Sequence, residues 1–173
     1  MSHKLRRHTG TECTVSIPVI SREGSGVIEK EAQFHSYDLS AYDAKVILVD
    51  DEETFREIFA DILKSMGLEV TAVGNGKEAY DIFLSKPESF DVILSDVRMP
   101  IMDGPSLIKK VRSDKEIKQP GIILMTGGVN MDLRSDEDEL VPLLDGHLFK
   151  PFNKEKIFNI LKDYLEARSH NMP

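Results

Sequence analysis

Residues 46–51 read Val-Ile-Leu-Val-Asp-Asp, four apolar residues in a row that stop on two carboxylates. So short an apolar run fits a strand buried on both faces, as in a parallel sheet covered by helices. Four more strand candidates follow at residues 69–73, 92–94, 122–125 and 147–149, most of them continuously apolar and the first of these four the least pure. Amphipathic segments lie between them. Phe55, Ile58, Phe59, Ile62, Leu63 and Met66 recur at helical spacing and Gly67 follows as a stop, which predicts a helix with one apolar face. Ile157, Ile160, Leu161, Tyr164 and Leu165 repeat the pattern after Asn153. Strands alternating with helices predict an α/β fold, a doubly wound (βα)5 sandwich around a five-stranded parallel sheet. The helix expected over residues 131–144 is acidic and carries Pro142, so a short or distorted element is expected there.

Before residue 44 the pattern changes. Cys13, Val15, Ile17 and Val19 alternate with polar residues or Pro18, and Gly24-Ser25-Gly26 precedes an extended-looking stretch at 27–34, which predicts a β-hairpin. The expected organisation is an N-terminal extension over 1–43, a main domain over 44–168 and a tail over 169–173.

The chain of 173 residues has room for one ordinary domain with a developed core. Its 30 acidic and 22 basic side chains give a formal net charge of −8, against the clustered Lys and Arg that nucleic-acid binding draws on. A single cysteine, Cys13, excludes an internal disulfide and a thiolate metal cage. No apolar run approaches the roughly 20 residues needed to span a bilayer, and the basic N-terminus lacks the apolar stretch of a secretory signal. A cytoplasmic protein without membrane contact is expected.

In an open parallel α/β sheet, ligands bind beyond the carboxyl ends of the strands. Those ends carry Asp50 and Asp51, Asp96, Thr126 and Lys150 followed by Pro151. Carboxylates gathered at one rim need a cation, and hard oxygen donors suit Mg²⁺ or Mn²⁺. An aspartate such as Asp96 can act as a nucleophile and form an aspartyl phosphate. Lys150 and Thr126 offer an ammonium and a hydroxyl to phosphoryl oxygens.

Four stretches carry a resemblance. They are Ile47-Leu-Val-Asp-Asp-Glu52, Val92-Ile-Leu-Ser-Asp-Val-Arg-Met-Pro-Ile-Met-Asp-Gly104, Ile122-Ile-Leu-Met-Thr-Gly127 and Leu148-Phe-Lys-Pro-Phe152. Together they resemble the CheY-like receiver domain of response regulators in two-component signalling, over residues 45–166 or so. The spacings agree, with 45 residues from Asp51 to Asp96 and 30 from Asp96 to Thr126.

The resemblance implies a flavodoxin-like fold and a phosphoacceptor signalling domain rather than an enzyme acting on other substrates. Asp96 would take a phosphoryl group from a histidine kinase or histidine phosphotransfer protein. Asp50, Asp51, Asp96 and the backbone carbonyl of Arg98 would hold Mg²⁺. Lys150 would pair with Asp96 and then with the phosphate, while Thr126 would swing toward it. An unidentified downstream protein would read the result, and family members often pair as homodimers through a face made by their fourth and fifth helices. The position three before the lysine, usually Tyr or Phe in the family and a rotameric switch, is His147 here. The 24 residues from Thr126 to Lys150 are slightly more than the family's usual gap.

Three rival readings share some of these residues. A phosphatase of the haloacid dehalogenase class needs a second aspartate two residues after the nucleophile, where this chain has Arg98. A flavodoxin-like FMN binder needs a hydroxyl- and glycine-rich loop after the first strand, where this chain has Asp50-Asp-Glu-Glu53. The third is an unphosphorylated receiver-like module that works only by protein interaction.

Overall fold

A computed structural model describes residues 37–127 and 140–170. The hairpin expected over 13–34, the end of the tail and most of the acidic 131–144 segment lie outside the described residues.

Five parallel strands form one sheet in the order β2-β1-β3-β4-β5. They are β1 (Lys45–Val49), β2 (Glu69–Val73), β3 (Val92–Asp96), β4 (Gly121–Gly127) and β5 (Gly146–Lys150). The helices are α1 (Glu53–Lys64), α2 (Gly76–Ser85), α3 (Gly104–Ser113) and α4 (Lys154–His170), the last being the helix expected after Asn153. This is the doubly wound α/β architecture that the alternating pattern predicts.

Strand alternation sorts the core into two layers. Val46, Leu48, Val92, Leu94, Ile123, Met125 and Leu148 pack against α1 and α4, where Phe59, Leu63, Ile157, Leu161 and Leu165 receive them. Ile47, Val49, Ile93, Ile122 and Leu124 face α2 and α3, against Ala79, Phe83, Leu107, Ile108 and Val111. The same alternation sets the parity of the residues at the strand ends. β2 is an edge strand with only Val73 buried, which explains its mixed composition. The expected apolar face holds at Phe59 and Leu63 of α1 and at Met66 in the turn after it, but Ile58 is 57% exposed, because the stripe that α1 buries is narrower than its run of apolar residues.

Side-chain caps start three helices. The Asn75 side chain accepts from the Glu78 amide at α2, that of Asp103 from the Ser106 amide at α3, and that of Asn153 from the Lys156 amide at α4. Each cap holds the loop leaving the carboxyl end of a strand.

The segment just before β1, which the sequence reading assigned to the extension, is packed into the main core. Leu39 is fully buried among Met66, Leu63 and their neighbours, and its amide donates to the Met66 carbonyl at 2.7 Å. Tyr37 meets the ring of Phe158 edge-on, and the Tyr42 hydroxyl donates to Glu166. Gly67 permits this approach: it sits at φ 87, and a Cβ there would stand 2.6 Å from the Ser40 side chain. Leu39→Ala should therefore lower the unfolding free energy by about 2–5 kcal/mol, the range for truncating a buried leucine. Urea denaturation measures it, and a loss no larger than a surface substitution causes would contradict the packing.

At the amino ends of β4 and β5, Arg112 of α3 makes a compact network. Its guanidinium donates to the carbonyls of Leu143 (3.0 Å) and Pro120 (2.9 Å), to Gln119 (3.2 Å) and to Asp145 (2.6 Å). The same Asp145 oxygen accepts the Ile122 amide at 2.8 Å. Pro142 lies in a short 3-10 turn over Val141–Leu143, so the described end of the 131–144 segment is distorted as expected.

Candidate functional site

Register brings the strand ends together. Val49 of β1 stands opposite Ser95 of β3, so one step further Asp50 and Asp96 emerge side by side on the α1/α4 face. On β5, Lys150 has the parity of Leu148 and points to that same face, while Thr126 on β4 has the parity of Leu124 and points to the other.

Lys150 crosses the end of β4 to reach both acids. Its ammonium lies 2.7 Å from an Asp50 oxygen and 2.7 Å from an Asp96 oxygen. Asp50 is almost completely buried, whereas Asp96 and Lys150 retain 17% and 25% of their side-chain exposure, enough for a small group to reach the acceptor. Asp50 also accepts the Glu52 amide through its other oxygen at 3.0 Å, and Asp96 accepts the Arg98 amide at 2.9 Å. Both carboxylates are thereby held at fixed angles.

The loop after β3 closes behind Asp96. The Gly104 amide donates to the Val97 carbonyl at 2.9 Å, and a Cβ on Gly104 would stand 2.3 Å from the Asp96 carbonyl oxygen, so only glycine fits. Ile101, at the tip of that loop, has φ 70 and is 83% exposed. A β-branched residue in the left-handed region costs about 1–3 kcal/mol, held here by the loop's other contacts.

Thr126 is buried, and its hydroxyl has no hydrogen-bond partner among the described residues. A buried hydroxyl without a partner forgoes part of its hydration, so a hydrogen-bonding ligand at the rim would relieve it. His147 lies on β5 with its ring stacked against Phe149, at 6.2 Å between centroids, on the opposite strand face from Lys150. Asp51 and Arg98 are exposed at the rim. The structure thus brings Asp50, Asp96 and Lys150 into contact and sets His147 apart from them.

Sequence reading overlooked two neighbours. Arg56 donates to the Asp50 carbonyl at 2.7 Å, bracing the end of β1. Phe55 lays its ring under the Lys150 ammonium, 4.1 Å from centroid to nitrogen. Both sit in the first turns of α1 just after the acid pair, and that adjacency is the signal that could have found them.

Burial works against the Lys150 charge and is the largest influence on it, but hydrogen bonds to Asp50 and Asp96 and their negative charges together prevail and raise its pKa above 10.5. A folded-state value above the unfolded one means that the stability this lysine contributes is complete below 10.5 and is lost as pH climbs through the higher folded value. Unfolding free energies of the native chain and of Lys150→Met should therefore keep a constant difference up to the ordinary lysine range and converge above it. A difference that vanished near neutral pH would contradict this.

Among the described residues no three Asp, Glu, His or Cys side chains are gathered closely enough to hold a metal ion, and the Lys150 ammonium bridges Asp50 and Asp96. The donor chemistry still suits a hard divalent ion: Asp50, Asp51, Asp96 and the Arg98 carbonyl offer only oxygen, at a rim whose acids already draw positive charge. No helix of the described residues is long and apolar enough to cross a membrane.

Comparison with known proteins points the same way. Residues 46–162 match the family model of the response regulator receiver domain. The chain is 30% identical over 127 residues to sporulation initiation phosphotransferase F of Bacillus subtilis, covering 73% of this chain and 97% of that protein. It is 32% identical over 130 residues to a chemotaxis protein CheY homolog of Campylobacter jejuni, covering 72% and 95%. Among solved structures, chemotaxis protein CheY4 of Vibrio cholerae superposes with a TM-score of 0.60 at 33% identity, over 70% of this chain and 98% of that one. With two acids and a lysine clasped at the carboxyl rim of such a sheet, the chain belongs to the response regulator receiver domain family, the phosphoacceptor domains of two-component signalling.

Proposed function

We propose that Asp96 accepts a phosphoryl group from the phosphohistidine of a histidine kinase or a histidine phosphotransfer protein. The observation that carries this reading is the Lys150 ammonium shared between Asp50 and Asp96, 2.7 Å from each. It engages one oxygen of Asp96 and supplies a positive charge that can follow the incoming phosphoryl group.

In the transfer, a carboxylate oxygen of Asp96 forms a P–O bond as the P–N bond to the donor imidazole breaks. The electron pair stays on that nitrogen, and the imidazole departs neutral when its second nitrogen carries a proton. Mg²⁺ or Mn²⁺, held by Asp50, Asp51, Asp96 and the Arg98 carbonyl, would supply neutralisation of phosphoryl charge. Lys150 turns from the Asp96 carboxylate to a phosphoryl oxygen. Thr126 gains an acceptor for the hydroxyl that has none among the described residues, and its rotation, with His147 on β5, is the proposed switch read by a downstream protein. Later attack by water on phosphorus returns the carboxylate and releases inorganic phosphate. These two reactions on its own side chain are the only chemistry proposed for the chain, and it would perform them in the cytoplasm.

Incubation with phosphoramidate and Mg²⁺ should place one acid-labile phosphoryl group on the protein, with labelling suppressed by a chelator. Labelling that is stable to acid, or indifferent to chelation, would overturn the reading.

A further inference from the structure

Lys150 has a third neighbour that the proposed chemistry does not use. Two of its contacts are to carboxylates whose charges change when phosphate and metal arrive. The third, the ring of Phe55 at 4.1 Å, is indifferent to both. The face of a benzene ring carries negative potential and attracts an ammonium without fixing its direction, so the cation can pivot over it.

This ring is itself immobilised. Phe55 packs against Phe59 one turn along α1, at 5.5 Å between centroids, and against Phe152 at 6.1 Å. Phe59 and Phe152 meet at 5.2 Å, so the three rings close on one another. Phe152 stands two residues after Lys150 in the same strand exit, which ties the aromatic group to the backbone that carries the lysine. An aliphatic side chain would fill the same space but would offer the ammonium no electrostatic attraction.

We infer that Phe55 is a positioning residue for phosphoryl transfer: its ring is the fixed platform over which the Lys150 ammonium pivots from the Asp96 carboxylate to the phosphoryl group. The inference rests on Asp96 being the acceptor. It assigns Phe55 no contact with the phosphoryl group. Removing the platform while keeping the volume should slow transfer, because the ammonium then samples positions away from the acceptor.

Three chains decide it, the native one, Phe55→Leu and Phe55→Tyr, each first shown by thermal melting to be folded. With phosphoramidate and Mg²⁺, Phe55→Leu should be labelled about tenfold more slowly, within the range of a partly desolvated cation–π contact, and Phe55→Tyr at close to the native rate. A merely structural role would not move a second readout: the Lys150 Cε protons should show an upfield ring-current shift by NMR in the unphosphorylated native and Tyr chains, lost in the Leu chain. Equal labelling of native and Leu chains, or a Tyr chain as slow as the Leu chain, would overturn the inference and leave Asp96 as the acceptor. A native Lys150 without the ring-current shift would also overturn it. A native chain that takes no label removes the phosphoacceptor reading, and this inference falls with it.

Discussion

An Asp96→Asn chain is expected to take up no phosphoryl group from phosphoramidate, a loss of at least about a thousandfold in labelling rate. The carboxamide keeps the size of the side chain and an oxygen for the Arg98 amide, so the loop behind it has no reason to move. What it loses is the anionic nucleophile. Lys150 retains Asp50 as a partner, so the folded state should survive and the assay reads chemistry rather than unfolding. Phosphopeptide mapping of the native chain completes the test. A phosphoryl group on Asp50 or Asp51, or labelling of Asp96→Asn at the native rate, would show that the acceptor had been misassigned.

Lys150→Met should have the second-largest effect, and on two observables at once. Asp50 is almost wholly buried and depends on this ammonium for its counter-charge. Breaking a buried pair by removing one partner costs about 3–5 kcal/mol, and the residual exposure of Lys150 argues for about 3 kcal/mol here. Methionine fills the stem's volume and keeps an apolar contact with Phe55, which isolates the charge as the cause. Labelling should become undetectable, since no ammonium remains to turn from Asp96 to the phosphoryl group. Millimolar Mg²⁺ should restore part of the stability, because a divalent ion can neutralise the same two acids. A Lys150→Met chain as stable as the native one would mean that Asp50 finds its counter-charge elsewhere.

Much of this site could be read from residue order. Three apolar runs ending in Asp50, Asp96 and Thr126 locate the strand ends, because a strand buried on both faces leaves little freedom in its composition, while Lys150 closes the edge strand β5, where only Leu148 is buried. β2 was the hardest to see, since an edge strand with exposed Glu69 and Ala72 has no such constraint. Periodicity located α1 and α4 but overstated the buried face of α1 at Ile58, whose burial depends on what lies across from it rather than on spacing. Leu39 was missed for the opposite reason. It is one apolar residue among polar ones, and only the folded chain shows the slot between Met66 and the helices that takes it. The Phe55 platform is marked in the sequence only by its place in the first turn after the acid pair, because cation–π pairing leaves no spacing rule between residues 95 positions apart.

The Arg112 network has a bearing on how a signal could travel. It moors the starts of β4 and β5 and the turn before β5 to one guanidinium, at the opposite pole of the sheet from Thr126. With the roots of both strands anchored, a disturbance beginning at the Thr126 hydroxyl meets an unyielding base. Displacement is then channelled outward along the rim, as a door hung on a rigid post moves most at its free edge.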